Sequence, residues 1–236
     1  MSDNRVTGQE GRRLVATAIR RALSQGELAP GQRLIEQELS ETLNATRNCV
    51  REALQDLASE GLVELVPRRG ARVRVVSVEE AIQITECRAA LEALCARRAA
   101  QNATTDQRQS LRDLGTRMRQ AVTEGDLDTY SALNGQLHHS IADMSGQKVA
   151  AGLLERLKGQ MVRYQFRLAL RPGRPSTSLP QHLAIIEAIV AGDAAAAETA
   201  ARAHLDSVID ELRSSPARGE LQSARPDSPV SLPART

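Results

Sequence analysis

Apolar positions along the first third of the chain change period twice. Leu14/Val15, Ala18/Ile19 and Ala22/Leu23 recur at helical spacing over Gln9–Gln25, and Gly26 closes that segment. After a loop through Pro30-Gly31, the residues Leu34, Ile35, Leu39 and Leu43 predict a short amphipathic helix. Asn44-Ala45 breaks it as a turn. Thr46 is a suitable N-cap for a second helix with the buried stripe Val50, Ala53, Leu54 and Leu57, which ends at Gly61. Two short helices around a tight turn make a helix-turn-helix. The period then falls to two. Leu62–Val66 and Ala71–Val75 alternate as strands, and Pro67-Arg68-Arg69-Gly70 turns between them with a basic tip.

From Val78 to Ser214 every segment reads as helix: Val78–Gln101, Thr105–Glu124, Asp126–Ser145, Gln147–Leu170, Leu179–Ala191 and Ala194–Arg213. Breaks fall at Asn102-Ala103-Thr104, Gly125-Asp126, Ser145-Gly146, Pro172-Gly173-Arg174-Pro175 and Gly192-Asp193. Short connections predict an antiparallel bundle. The fold class is therefore mainly α: a winged helix-turn-helix over 9–76 and an all-helical domain over 77–214. Residues 215–236 are rich in Pro, Ser and charge and are expected to be a disordered tail.

Composition narrows the functions. The chain has 236 residues, a formal net charge of +2, no Trp, one Phe and two Tyr, so stacking platforms for single-stranded nucleic acid are not expected. No apolar run reaches membrane-spanning length, and Met1–Glu10 is too polar for a signal peptide. Three cysteines without metal-type spacing fit a reducing, cytoplasmic setting. Cys87 and Cys95 read as core. Cys49, in the first turn of the second short helix, is either a packed small side chain or a redox-sensitive thiol favoured by the helix dipole.

Arg47, Asn48 and Arg51 lie off the apolar stripe in the first turns of that helix. They have the chemistry for base edges and phosphates; the plainer alternative is a surface hairpin with solvated charges. The stretch Ile19–Arg74 resembles the winged helix-turn-helix of the GntR family of bacterial transcription regulators. The resemblance rests on Gly26-Glu27-Leu28-Ala29-Pro30-Gly31-Gln32-Arg33-Leu34, Thr46-Arg47, Val50-Arg51-Glu52-Ala53-Leu54, Glu60-Gly61-Leu62-Val63 and Arg69-Gly70. Thr46 stands where the family often has Ser, and Cys49 where Pro is usual. A DNA-binding reading assigns recognition-helix contacts to Thr46, Arg47, Asn48 and Arg51. Contacts to backbone or groove go to Arg33, Gln37, Arg68, Arg69 and Gly70, with two copies on a pseudo-palindromic operator.

The four histidines divide unevenly. Asn134 and His138 sit within the stripe Tyr130, Leu133, Leu137, Ile141, Met144. His182 falls on the Leu179/Leu183/Ile186/Ile189 side of its helix, and His204 on the Ala197/Ala201/Val208/Leu212 side. Three imidazoles are thus expected inside, with His139 elsewhere. They are either core histidines held by hydrogen bonds or a site for a divalent transition metal. Residues 77–212 also resemble the FCD ligand-binding domain of the FadR-like branch of that family, at Arg88-Ala89-Ala90-Leu91-Glu92, Asn134-Gly135-Gln136-Leu137-His138, Gln181-His182, Glu187-Ala188-Ile189, Gly192-Asp193 and His204.

That resemblance implies dimerisation, effector-controlled DNA binding, and a divalent metal (Zn, Ni or Mn) on Asn134, His138, His182 and His204. The metal would help to hold a small organic acid. Asn134 is neutral, so the ion's charge is left for an anionic effector to balance. Arg88 interrupts its stripe. It either pairs with Glu92 four residues on, or points inward to clamp an effector carboxylate, a role for which Arg163 and Arg167 are further candidates.

The expected function is a ligand-responsive regulator, in the commoner case a repressor. The alternatives are a metal-free regulator whose histidines bind an organic acid or acyl ligand, a metal-dependent enzyme lacking an evident general base, and an architectural DNA-binding protein without an effector.

Overall fold

A computed structural model of the chain describes residues 5–24, 26–67, 70–169 and 173–214, without the side chains at 24 and 162–169. The expected tail, the wing-tip arginines Arg68 and Arg69, and the side chains of Arg163 and Arg167 lie outside the described residues. Contacts divide the chain into two compact units that change over between Ser77 and Val78, with residues 159–166 grouped with the first.

The first unit holds α1 (Gly8–Ser24), β1 (Arg33–Leu34), α2 (Glu36–Thr42), α3 (Arg47–Ser59), β2 (Val63–Val66) and β3 (Gly70–Val73). Val15, Ile19, Leu39, Val50, Leu54, Leu57, Val63 and Ala71 form one aliphatic core. Asn44 takes the left-handed backbone (φ 49°) that the turn between α2 and α3 needs. Thr46 caps α3 by accepting from the Cys49 amide at 3.4 Å. Arg12 grips Asp56 and Arg20 grips Glu60, each through two nitrogens, tying α1 to α3.

One element differs from the pattern. Leu34 and Ile35 are not the start of the first short helix. Arg33–Leu34 is a third strand, in the order β1-β3-β2, with Leu34 opposite Ala71. Leu34 does face the core, but from a strand, whereas Ile35 is extended (φ −88°, ψ 121°) as the N-cap of α2 and is exposed.

The second unit is α4 (Val78–Asn102), α5 (Thr105–Glu124), α6 (Leu127–Ser145), α8 (Arg174–Ala191) and α9 (Ala194–Ser214), with most of α7 (Lys148–Ala169). Helix α4 lies against α9, α6 and α8. Its Ala93, Ala96 and Ala100 and the Ala197 and Ala201 of α9 are buried, small residues that suit close packing. Thr104 and Gln107 close a capping box on α5, and left-handed glycines at 125, 146 and 192 end α5, α6 and α8.

Helix α8 begins at Arg174, five residues before the expected start. Pro175 suits the first turn, where no amide bond is lost, and Pro180 is accommodated inside the helix. The early start has a consequence for the site: Arg174, Ser178 and His182 follow one another at four-residue spacing on one buried face.

Candidate functional site

Two places gather the chemistry. In the first unit, Arg33, Gln37, Arg47, Arg51 and Gly70 line a groove of about 900 Å³ with Ile35, Glu36, Gln55 and Leu65. The cationic side chains are held by neighbours. Arg47 Nη2 donates to Gln37 Oε1 at 2.9 Å, Arg51 Nη2 lies 3.3 Å from Glu36 Oε2, and Arg72 Nη2 lies 2.6 Å from Glu64 Oε2. Asn48 is exposed and donates to Glu52 at 2.8 Å. Thr46 and Asn48 do not line the groove.

Gly70 is there for backbone reasons. Its φ is +85°, and a Cβ would stand 2.6 Å from the Leu34 carbonyl oxygen. Cys49 is buried with its Sγ 3.1 Å from Thr46 Oγ1, and it donates to the Gly8 carbonyl at 3.4 Å, which is the packed arrangement. Cys95 is buried as expected, but Cys87 is exposed rather than core, because α4 turns that position away from its neighbours.

The second place lies inside the helical unit. His138, His182 and His204 each bring a ring nitrogen within 4.8 Å of the others. Their centroids are 5.5, 5.5 and 4.3 Å apart, and the Nε2 atoms of His182 and His204 touch at 3.2 Å. His139 points outward beside Asp143.

Every one of the three rings is held from behind by its Nδ1. His138 Nδ1 lies 2.7 Å from Glu92 Oε2, His182 Nδ1 is 3.0 Å from the Tyr130 hydroxyl, and His204 Nδ1 is 3.0 Å from Gln181 Oε1. Tyr130 is itself 2.7 Å from Ser178 Oγ, which donates to the Arg174 carbonyl at 3.0 Å. Nδ1 contacts of this kind, which leave Nε2 for a ligand, are typical of ligating imidazoles.

Charge in the cluster is balanced. Burial pushes the Glu92 carboxyl up, but His138 and Arg88 outweigh that and hold it well below the usual range, so it is ionised. Arg88 donates from Nε and Nη2 to Glu92 Oε1 at 3.1 and 2.8 Å. Arg88 thus pairs with Glu92, as in the first reading, but the pair is buried rather than at the surface. Burial pushes His204 down to about 3 and moves His182 far down as well, so both rings are neutral near pH 7.

The residue set fits a divalent metal on two observations. His138, His182 and His204 gather ring nitrogens within 4.8 Å of one another, the last two as neutral imidazoles, and Asn134 Oδ1 is buried with no hydrogen-bond partner. From the sequence, Tyr130 reads as apolar stripe, Glu92 only as a partner of Arg88, and no carboxylate falls on the ligand faces. Glu92 follows Arg88 by one turn, so the inward position of Arg88 already carries the signal.

Residues 12–73 match the family "Bacterial regulatory proteins, gntR family", and residues 83–207 match the FCD domain. The HTH-type transcriptional repressor RspR of Escherichia coli (strain K12) is 31% identical over 195 residues, covering 83% of this chain and 86% of that protein. A putative L-lactate dehydrogenase operon regulatory protein of the same strain is 31% identical over 225 residues, covering 84% and 85%. Among solved structures, E. coli McbR/YncC superposes with a TM-score of 0.74 at 24% identity, over 88% of this chain and 98% of that one.

Proposed function

Because the chain belongs to the GntR family of bacterial regulators, with an FCD domain, it is a DNA-binding transcription regulator, and we propose that it represses transcription until a small carboxylate enters its helical domain. The observation that carries this reading is the cluster itself. Three imidazoles gathered within 4.8 Å are pinned through Nδ1 by Glu92, Tyr130 and Gln181, and one turn before His138 the Asn134 amide oxygen is buried without a partner.

Asn134, His138, His182 and His204 would hold the metal. A bound divalent ion supplies positive charge and open coordination positions for an anion. The chain's own residues do the rest. Glu92, Tyr130 and Gln181 fix the rings, Arg88 cancels the charge of Glu92, and the aliphatic helices exclude water. With Glu92 balanced by Arg88 and Asn134 neutral, no protein charge remains to offset the ion, which favours a carboxylate partner.

On the DNA side, Arg47 and Arg51 read the major groove with Thr46 and Asn48 beside them. Arg33, Gln37 and the wing around Arg68, Arg69 and Gly70 rest on backbone or groove. One such domain buries too little for specific affinity, so the protein acts as a homodimer on a pseudo-palindromic site.

A second reading keeps the regulator and removes the metal. The 3.2 Å contact between His182 and His204 is also a satisfied N–H···N hydrogen bond, and the same imidazoles could hydrogen-bond an organic acid directly.

Selection of bound duplexes from a randomised pool, followed by release assays, tests the proposal. A two-fold symmetric site released by a carboxylate only when Zn²⁺ is present supports the first reading. Release without metal supports the second, and a site with no symmetry that no carboxylate releases overturns both.

A further inference from the structure

Among the described residues, Arg174 is a buried cation of the bundle that has no carboxylate. It opens α8, is 9% exposed, and makes one side-chain hydrogen bond, from Nη1 to Ser207 Oγ at a long 3.3 Å. No Asp or Glu of the described residues lies within ion-pair distance of its guanidinium. Glu211, one turn beyond Ser207 on α9, acts on it only through space. A guanidinium carries five N–H donors in a fork matched to a carboxylate, and burying most of them unused is unfavourable.

Its surroundings point the same way. Arg174, Ser178 and His182 follow at four-residue spacing along α8, so its Cα stands about 12 Å along the axis from that of His182. The guanidinium is within electrostatic reach of Tyr130, His182 and His204. On the facing helix, Tyr130, Asn134 and His138 make a parallel column with the same spacing, and Asn134 Oδ1 is the buried acceptor without a partner. Arg88 cannot offer an equivalent grip, since its Nε–Nη2 edge is already spent on Glu92.

We propose that Arg174 binds the carboxylate of the effector. The effector is then a small organic acid with a second polar group, a hydroxyl or another carboxyl, that turns toward Asn134 and the imidazoles. This assignment rests on the carboxylate-effector reading above and adds its anchoring residue and the bifunctional character of the ligand.

Thermal shift and calorimetry on the full-length protein test it, with L-malate and citrate as bifunctional probes and propionate as a monofunctional control. Each is measured on Zn²⁺-loaded and chelator-treated protein. Wild type should be stabilised by a bifunctional acid and not by propionate. Arg174→Met, which keeps the aliphatic stem, should bind that acid about 10- to 100-fold more weakly, the loss expected for a charged hydrogen-bonded pair, and Arg174→Lys should recover part of it. Without ligand, Arg174→Met should melt close to wild type, because the buried charge has no carboxylate within ion-pair distance among the described residues and only the long Ser207 bond to lose.

Equal binding by wild type and Arg174→Met would overturn the assignment while leaving the carboxylate reading in place. A large drop in the unliganded melting temperature of Arg174→Met would show a structural role and overturn it too. Wild type indifferent to every acid, with and without Zn²⁺, would overturn both.

Discussion

His138 and Glu92 meet at 2.7 Å between Nδ1 and Oε2, and the other oxygen of the same carboxylate accepts two bonds from Arg88. One buried anion thus orients a prospective ligand and neutralises a buried guanidinium. Glu92→Gln should destabilise the protein by about 3–5 kcal/mol in chemical denaturation, because it leaves Arg88 uncompensated. Combining it with Arg88→Met should restore most of the loss. Additive effects of the two changes would mean that the pair is not coupled.

Acid should weaken the fold, and the direction follows from the shifted groups. His182 and His204 titrate below an unfolded histidine, which ionises near 6.5, with His204 at about 3. Between those values the unfolded chain binds more protons than the folded one, so stability falls as pH drops below about 6.5, by up to about 1.4 kcal/mol per pH unit for each such ring. Glu92, held ionised by its neighbours, adds to the loss as pH passes below the ordinary carboxylate value. Melting temperatures of metal-free protein should hold from pH 7.5 to about 6.5 and then fall towards pH 5, and His204→Gln should flatten that fall.

Much of this site is legible in the sequence, and what is not has physical reasons. Helical periodicity puts His138, His182 and His204 inside because each shares the spacing of its Leu and Ile neighbours. Periodicity is blind to pairing, however. It cannot tell that Arg88 and Glu92 are buried together, because an i,i+4 pair reads the same on either face. It also misassigns Leu34–Ile35, since two apolar residues next to a helix fit either period. Arg174 is hidden because Pro172-Gly173-Arg174-Pro175 reads as a break, although a proline in the first turn suits a helix.

In the DNA groove, Arg51 is restrained by Glu36 at 3.3 Å. Glu36→Gln should release it, strengthen binding to random duplex, and steepen the salt dependence by about one unit in a log–log plot. Arg47→Ala should act differently, costing about 1–3 kcal/mol on the selected site and relaxing specificity. Anisotropy titrations over a range of salt concentrations separate the two. Unchanged affinity and specificity in Arg47→Ala would remove it from the base-reading set.

The wing depends on Gly70. Its φ is +85°, and a methyl group on its Cα would stand 2.6 Å from the Leu34 oxygen, so Gly70→Ala must move β1 or the turn. A loss of at least about 1–3 kcal/mol in stability is expected, the usual range for a strained backbone. DNA affinity should fall with it, read by denaturation and anisotropy on the same preparation.

The central claim is the metal behind the effector response, and elemental analysis of tag-free, chelator-free protein tests it most directly. Wild type should carry about one divalent ion per chain, as a four-donor site predicts, and His138→Ala/His204→Ala should carry none. Asn134→Asp should retain its ion more tightly than wild type. Absence of metal from wild type even after reconstitution with Zn²⁺, Ni²⁺ or Mn²⁺ would contradict the account and leave three histidines that only hydrogen-bond.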